Sequence, residues 1–306
     1  MVKVLVATEK PFAAVAVSQI KEIIEKAGFE FALLEKYVGQ EPFIEAAKTA
    51  HAIIIRSDLA TKEVLDAAKE LKIIVRAGAG YDNIDLKAAT ENNIVAMNTP
   101  GQNSNAVAEL ALGMMVYQAR NQFNGKDGKE LRGKTLGIHA YGNVGKYVAK
   151  IAQGFGMKVL AFDPFVKKEA IEADGVQAVD TVEELYKLSN YVSLHIPATE
   201  KTKKSIDFNL LNLMPKGATL VNTARKEVIH EDDLLKLMET RADFAYLSDI
   251  APGCAAEFEA KFAGRYYFTP KKMGAQTAEA NINAGVAAAN QIVAFFKNGV
   301  ITFKVN

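Results

Sequence analysis

A single cysteine, Cys254, stands among 306 residues. That excludes an intrachain disulfide and a cysteine-cluster metal site, and it suits a reducing compartment. Net charge is nearly absent as well: 37 Lys and Arg against 36 Asp and Glu leave +1 at pH 7. There is no electrostatic basis for binding nucleic acid or an anionic membrane. No apolar run approaches the ~18 residues that a membrane helix needs. The first residues, MVKVLVATEKP, enter a strand directly, without the apolar core or cleavage site of a signal peptide. Low-complexity tracts are missing. The four histidines, His51, His139, His195 and His230, show no metal-binding spacing, so no metal is expected. What remains is an ordinary globular composition, 49% hydrophobic and 24% charged, at a length that suggests two domains. A soluble, cytoplasmic protein is expected.

What is present is a strand–turn–helix–strand unit at 135–163, TLGIHAYGNVGKYVAKIAQGFGMKVLAFD. The apolar run 135–139 reads as a buried strand, 146–153 as a helix and 158–162 as a second strand. The turn carries small residues at Ala140, Gly142 and Gly145. A pyrophosphate needs backbone N–H groups at a helix N-terminus that no side chain screens. Gly142 permits that approach, and Gly145 permits close packing of helix on strand. Asp163 ends the second strand at roughly the 20-residue spacing that places a carboxylate against the adenosine ribose. There it accepts hydroxyl hydrogen bonds and repels a 2′-phosphate, which favours NAD over NADP. The first turn position is Ala rather than Gly, and it is expected to keep a negative φ.

Strand-like runs at 2–7, 52–55, 73–75 and 94–97 alternate with helical patterns at 17–26, 63–70 and 86–91. The alternation resumes after a long apolar helix at 106–120 and a polar connection at 121–134. Further strands fall at 191–195, 219–222, 244–249 and 266–269, and a last helix at 278–297. Such alternation indicates parallel sheets covered by helices. The chain crosses over near Thr99. The last helix returns to the first half, which makes domains of 1–98 with 281–306, and of 99–280. The expected fold is therefore α/β, with two Rossmann-like parallel-sheet domains and the active site in a cleft between them.

In open α/β sheets ligands sit beyond the carboxyl ends of strands. Arg56-Ser57 and Arg76-Ala77-Gly78 lie at such ends in the first half. Two guanidiniums beside glycine-rich backbone suit an anionic substrate, although ordinary salt bridges would account for them too. In the second half His195-Ile196-Pro197 is placed against the adenine or ribose, and Thr223 and Ala224 against the cofactor. Arg225 is placed to hold a substrate carboxylate and polarise a carbonyl. Asp249 is placed to meet the nicotinamide carboxamide, and for both Arg225 and Asp249 a structural turn or cap role is the alternative. Residues 269–274, TPKKMG, offer a lysine for proton transfer and Gly274 beside the cofactor.

Read together, several stretches resemble the D-isomer-specific 2-hydroxyacid dehydrogenases. They are VRAGAGYDNIDLKAAT (75–90), MNTPGQNSNAVAEL (97–110), GKTLGIHAYGNVG (133–145), VSLHIPAT (192–199), LVNTARKEVI (220–229) and MGAQTAEA (273–280). The chain is most similar to short members acting on 3-phosphoglycerate that lack a regulatory domain. The resemblance implies that Arg56, Ser57, Arg76 and Gly78 face a phosphorylated 2-hydroxy acid. It implies that Asn143, Val144 and Asp163 meet NAD, that Arg225 is catalytic and that the protein is a homodimer. Two departures stand out. Lys272 occupies the position of the family's histidine, and Cys254 that of its glutamate. A lysine base must be neutral to accept a proton, and a carboxylate neighbour opposes that, so the two changes are expected to be coupled. Lys271 is the alternative base, Glu257 or Glu259 a displaced carboxylate, and Cys254 a reactive thiol. A reductase of glyoxylate or hydroxypyruvate and a non-catalytic NAD-sensing protein are the competing readings.

Overall fold

The computed structural model describes all 306 residues, which divide into two compact units, 1–103 with 276–306, and 104–275. The first unit runs β1 (Lys3–Thr8), α1 (Ala14–Lys26), β2 (Glu30–Glu35), α2 (Glu41–Ala47), β3 (Ala52–Ile55), α3 (Lys62–Ala67), β4 (Ile73–Arg76), α4 (Leu86–Glu91) and β5 (Val95–Asn98). Its five strands are all parallel, in the order β2-β1-β3-β4-β5. Alternate residues feed two cores, as the two-residue period of a strand requires. Leu5, Ala7, Ile53, Ile55 and Ile74 enter one, while Val4, Val6, Ala52, Ile54, Ile73 and Val75 enter the other. The run AIII of β3 is buried throughout, the signature of a strand covered on both faces.

The second unit runs α5 (Ser104–Ala119), β6 (Thr135–His139), α6 (Asn143–Gly154), β7 (Lys158–Phe162), α7 (Lys168–Glu172), β8 (Gln177–Ala178), α8 (Val182–Leu188), β9 (Tyr191–Leu194), α9 (Phe208–Asn212), β10 (Thr219–Asn222), α10 (Glu231–Thr240), β11 (Ala245–Ser248), α11 (Ala255–Lys261) and β12 (Tyr266–Phe268). Helix α12 (Ala278–Asn298) then rejoins the first unit and packs on α1. The seven strands are parallel, in the order β12-β11-β10-β9-β6-β7-β8. Strand order reverses between β6 and β9, and the crevice at such a reversal is where a dinucleotide lies in doubly wound sheets. The turn 140–142 leaves β6 there, and His195 leaves β9.

The sheet edges are covered differently. β8 has two residues. The outer side of β12 meets side chains: Gln118 Nε2 donates to the Gly264 carbonyl (2.9 Å) and Gln122 Nε2 to the Tyr266 carbonyl (2.8 Å). Gln122 reaches it from a turn in which Asn121, Gln122 and Phe123 all have positive φ, 49°, 55° and 55°. In the first unit the chain end lies along β5, with Val305 N donating to the Ala96 carbonyl (2.9 Å) and Asn306 Oδ1 accepting from Ala96 N (2.8 Å). No helix is long and apolar enough to cross a membrane.

Candidate active site

The turn after β6 forms as a dinucleotide turn must, with one correction. Ala140 has φ +81°, not the negative value expected of it. Its N–H donates to the Phe162 carbonyl (2.9 Å), continuing the β6–β7 ladder one residue beyond the strand. The turn thus holds an alanine in a conformation that costs an L-residue roughly 1–2 kcal/mol. Helix α6 starts at Asn143, earlier than its apolar spacing indicates, with Gly142 as its N-cap. A Cβ on Gly142 would meet nothing within 4 Å, so the space in front of the helix is open. A Cβ on Gly145 would fall 2.4 Å from the Ala140 carbonyl oxygen and 3.1 Å from Ile138 Cγ2. Only glycine lets α6 lie this close to β6.

Asp163 is half-buried, and its carboxylate fastens the turn. Oδ2 accepts from Tyr141 N and Oδ1 from Phe165 N, each at 2.8 Å. Each oxygen keeps a further lone pair for a ribose hydroxyl. Helix geometry leaves the first N–H groups of α6, including those of Asn143 and Val144, without intrahelical partners. Open space, unpaired N–H groups and an oriented carboxylate fit a dinucleotide.

Beneath this turn lie two neutral histidines. His195 Nε2 is 2.9 Å from Ser193 Oγ, and Nδ1 is 3.2 Å from Thr223 Oγ1. Burial, with His139 nearby, pushes its pKa down to about 3. His139 Nδ1 is 3.3 Å from the Tyr186 hydroxyl, and burial pushes its pKa down to about 4. Ile196 is buried and Pro197 exposed.

The end of β10 is shaped by a residue to which the sequence assigns no role. Asn222 Oδ1 accepts from Ala224 N (2.9 Å), and its Nδ2 donates to the Arg225 carbonyl (3.0 Å). This locks the turn 222–225, leaving the Thr223 and Ala224 carbonyls as acceptors. Lys272 Nζ donates to both, at 3.2 and 2.8 Å, and Arg225 Nη1 donates to Ala224 O at 3.1 Å. The two residues expected to be catalytic are therefore brought together; Lys272 makes these contacts with its side chain 40% exposed, and Lys271 is exposed as well. Burial, and to a lesser degree the Arg225 charge, lower the Lys272 pKa, against the opposing pull of Asp249 and Glu227.

Lys272 does have a carboxylate neighbour, contrary to the expected coupling with the missing glutamate. Asp249 Oδ2 lies 3.8 Å from Nζ. Asp249 is 1% exposed. Its Oδ1 accepts from Thr269 Oγ1 (3.0 Å) and Met273 N (2.6 Å), and its Oδ2 from Gly274 N (2.8 Å). Glu257 and Glu259 are exposed on α11. Cys254 is no activated thiol: burial, then the Glu231 carboxylate, push it up to about 12. Glu231 instead ties down the start of α11 through Gly253 N (2.8 Å) and Cys254 N (3.1 Å).

In the first unit Arg56 and Arg76 lie side by side, Arg76 Nε donating to the Arg56 carbonyl (3.0 Å). The Arg56 guanidinium is largely committed. Nη1 donates to the carbonyls of Lys10 (3.2 Å) and Pro11 (3.0 Å), Nη2 to Asn281 Oδ1 (2.7 Å), and the group lies 5.0 Å from the Phe12 ring centroid. Arg76 folds back over Gly78, where a Cβ would fall 1.5 Å from Nη1. Ser57 is exposed and Ala77 buried. Asp58, to which no role is assigned from sequence, is buried and accepts from Glu9 N (2.6 Å) and the Tyr37 hydroxyl (2.7 Å), joining β1 and β2 to the end of β3.

Comparison with known proteins bears on the same residues. Residues 106–262 match the family model described as D-isomer specific 2-hydroxyacid dehydrogenase, NAD binding domain. The D-3-phosphoglycerate dehydrogenase of Methanocaldococcus jannaschii is 37% identical over 268 residues, covering 83% of this chain and 51% of that protein. The chain thus spans about half the length of that relative. The hydroxypyruvate reductase of Thermotoga maritima is 34% identical over 281 residues, covering 86% of this chain and 90% of that protein. Among solved structures, the NAD+-bound 3-phosphoglycerate dehydrogenase of Entamoeba histolytica superposes with a TM-score of 0.86 at 48% identity, covering 100% of this chain and 98% of that one.

Proposed function

The chain belongs to the D-isomer specific 2-hydroxyacid dehydrogenase family, with an NAD-binding domain, and on that premise we propose that it oxidises 3-phospho-D-glycerate to 3-phosphohydroxypyruvate, the first step of serine synthesis. The observation that carries this reading is the placement of Lys272 and Arg225 on one carbonyl, with the lysine held below its ordinary pKa. Bound NAD supplies the hydride acceptor. The N–H groups at the start of α6, including those of Asn143 and Val144 beside Gly142 and Gly145, would hold the pyrophosphate. Asp163 holds the adenosine ribose and excludes a 2′-phosphate. His195, Ile196, Pro197, Thr223, Ala224 and Gly274 would line the rest of the cofactor, His195 as a neutral group held by Ser193 and Thr223.

Arg225 orients the substrate carboxylate and polarises the reacting oxygen. The neutral Lys272 amine accepts the hydroxyl proton as the C2 hydrogen leaves with its electron pair, and the C2–O bond becomes a carbonyl. The first unit contributes anion-binding groups, with Arg56, Ser57, Arg76, Ala77 and Gly78 assigned to the carboxylate or phosphate. In this reading residues 1–98 with 281–306 bind substrate and 99–280 bind NAD, in a cytoplasmic homodimer.

NADH formation with a panel of D-2-hydroxy acids tests the proposal. The expected result is the highest kcat/KM with 3-phosphoglycerate. Equal or better activity with D-glycerate would move the assignment to hydroxypyruvate or glyoxylate reduction. That second reading is favoured by one observation, the commitment of Arg56 to Lys10, Pro11 and Asn281, which leaves few donors for a phosphate. No NADH from any substrate, with NAD still bound, would leave a cofactor-sensing protein.

A further inference from the structure

Three hydrogen bonds tie the carboxylate of Asp249 to the segment that carries Lys272. A carboxylate offers about four acceptor positions. Three take hydrogen bonds from Thr269 Oγ1, Met273 N and Gly274 N, and the Lys272 ammonium stands 3.8 Å from Oδ2. Those donors bracket Lys272 on both sides in sequence. Gly274 is matched to the contact, since a Cβ there would fall 2.9 Å from Oδ2 and 3.0 Å from Val107 Cγ2. Asp249 is itself fixed, its N–H donating to the Asn222 carbonyl at 2.9 Å. Asn222 in turn shapes the turn whose carbonyls receive Lys272. One side chain therefore links the end of β10, the end of β11 and the segment after β12.

Resting on the dehydrogenase reading above, we propose that Asp249 is a positioning residue for Lys272: it holds residues 269–274 so that the amino group lies over the Thr223 and Ala224 carbonyls, and it is the counter-charge of the ammonium. The other charges facing Lys272 are Arg225, after β10, and Glu227, in the short 3-10 turn Lys226–Val228 that follows it. Arg225 and burial favour the neutral amine, while Asp249 and Glu227 favour the ammonium. Asp249 is the buried one of the two carboxylates, so solvent screens it least.

The test uses Asp249→Asn in the full chain, with two readouts that need no turnover. The first is the pH midpoint for labelling of Lys272 by an amine-selective acylating reagent, followed by peptide mass. The second is amide hydrogen exchange at Met273 and Gly274. We expect the labelling midpoint to move to lower pH, exchange to quicken by about tenfold, and kcat to fall by ~10²-fold. An unmoved midpoint with unchanged exchange overturns the proposal. A rise confined to the KM for NAD, with both readouts unmoved, makes Asp249 a cofactor contact instead. A moved midpoint with unchanged turnover upholds the positioning of Lys272 but removes Lys272 from the chemistry. Should Asp249→Asn fail to fold, Thr269→Val keeps the charge and removes one tie. Exchange at Met273 and Gly274 should then quicken about threefold with the labelling midpoint in place, and unchanged exchange overturns the proposal.

Discussion

Lys272 and Arg225 share an acceptor: the Ala224 carbonyl receives Nζ at 2.8 Å and Nη1 at 3.1 Å. Two cations on one oxygen each disfavour the other's charge, and only the lysine can relieve this by losing a proton. Lys272→Ala should therefore lower kcat by about 10²–10⁴-fold. Lys272→Arg, which keeps a permanent charge, should do the same. Steady-state NADH formation reads both, and near-normal turnover in either variant would exclude lysine as the base.

The strained turn gives a prediction of the opposite sign. Ala140 sits at φ +81°. Ala140→Gly removes a penalty of roughly 1–2 kcal/mol and adds back about 0.4–1 kcal/mol of unfolded-state entropy. The variant should melt at a higher temperature than the parent, by calorimetry. A lower melting temperature would mean that the alanine methyl makes contacts worth more than the strain.

Asp163 has a structural and a selective task. Asp163→Ala leaves the Tyr141 and Phe165 N–H groups without their acceptor, at a cost of about 1–2 kcal/mol. It also removes the charge facing a 2′-phosphate, so the kcat/KM preference for NAD over NADP should fall about tenfold or more. Kinetics with both cofactors, beside a denaturation curve, separate the two effects. An unchanged preference would place the selectivity elsewhere.

The two half-buried histidines set an acid limit on stability. In the unfolded chain both titrate near 6.5, whereas burial holds His139 at about 4 and His195 at about 3. Below 6.5 the unfolded state binds protons that the folded state refuses. Their contribution is therefore complete above 6.5 and is lost progressively as pH falls toward 4 and then 3. The urea midpoint should be clearly lower at pH 5 than at pH 8, and His139→Leu should flatten part of that slope. An unaltered slope in His139→Leu would assign the acid limit to other groups.

Legibility in the sequence followed burial. β3, with AIII covered on both faces, and β6, β7 and β10 are readable to the residue because apolar runs bounded by turns have few alternatives. β2, EFALLE, carries no readable strand signal because this edge strand is half-exposed, with Glu at each end and no clean alternation. Short helices such as α7 and α9 carry too few turns for a period to emerge. Lys272 and Arg225 stood out because their types are unusual at those places in a resembling pattern. Asp249's grip on residues 269–274 was hidden, because two of its three donors are backbone N–H groups, which any residue but proline supplies. Nor does an alanine at position 140 reveal the sign of its own φ.

The glutamines on the outer side of β12 bear on the protein's behaviour at high concentration. An uncovered strand edge is a template for another molecule's strand, and stacked edges grow into fibrils. Here the Gly264 and Tyr266 oxygens are already occupied by Gln118 and Gln122, and the opposite edge of the sheet offers only two residues. Two outward-facing acceptors along this border are thereby unavailable to an incoming strand. The three left-handed residues at 121–123 set Gln122 on one of those acceptors.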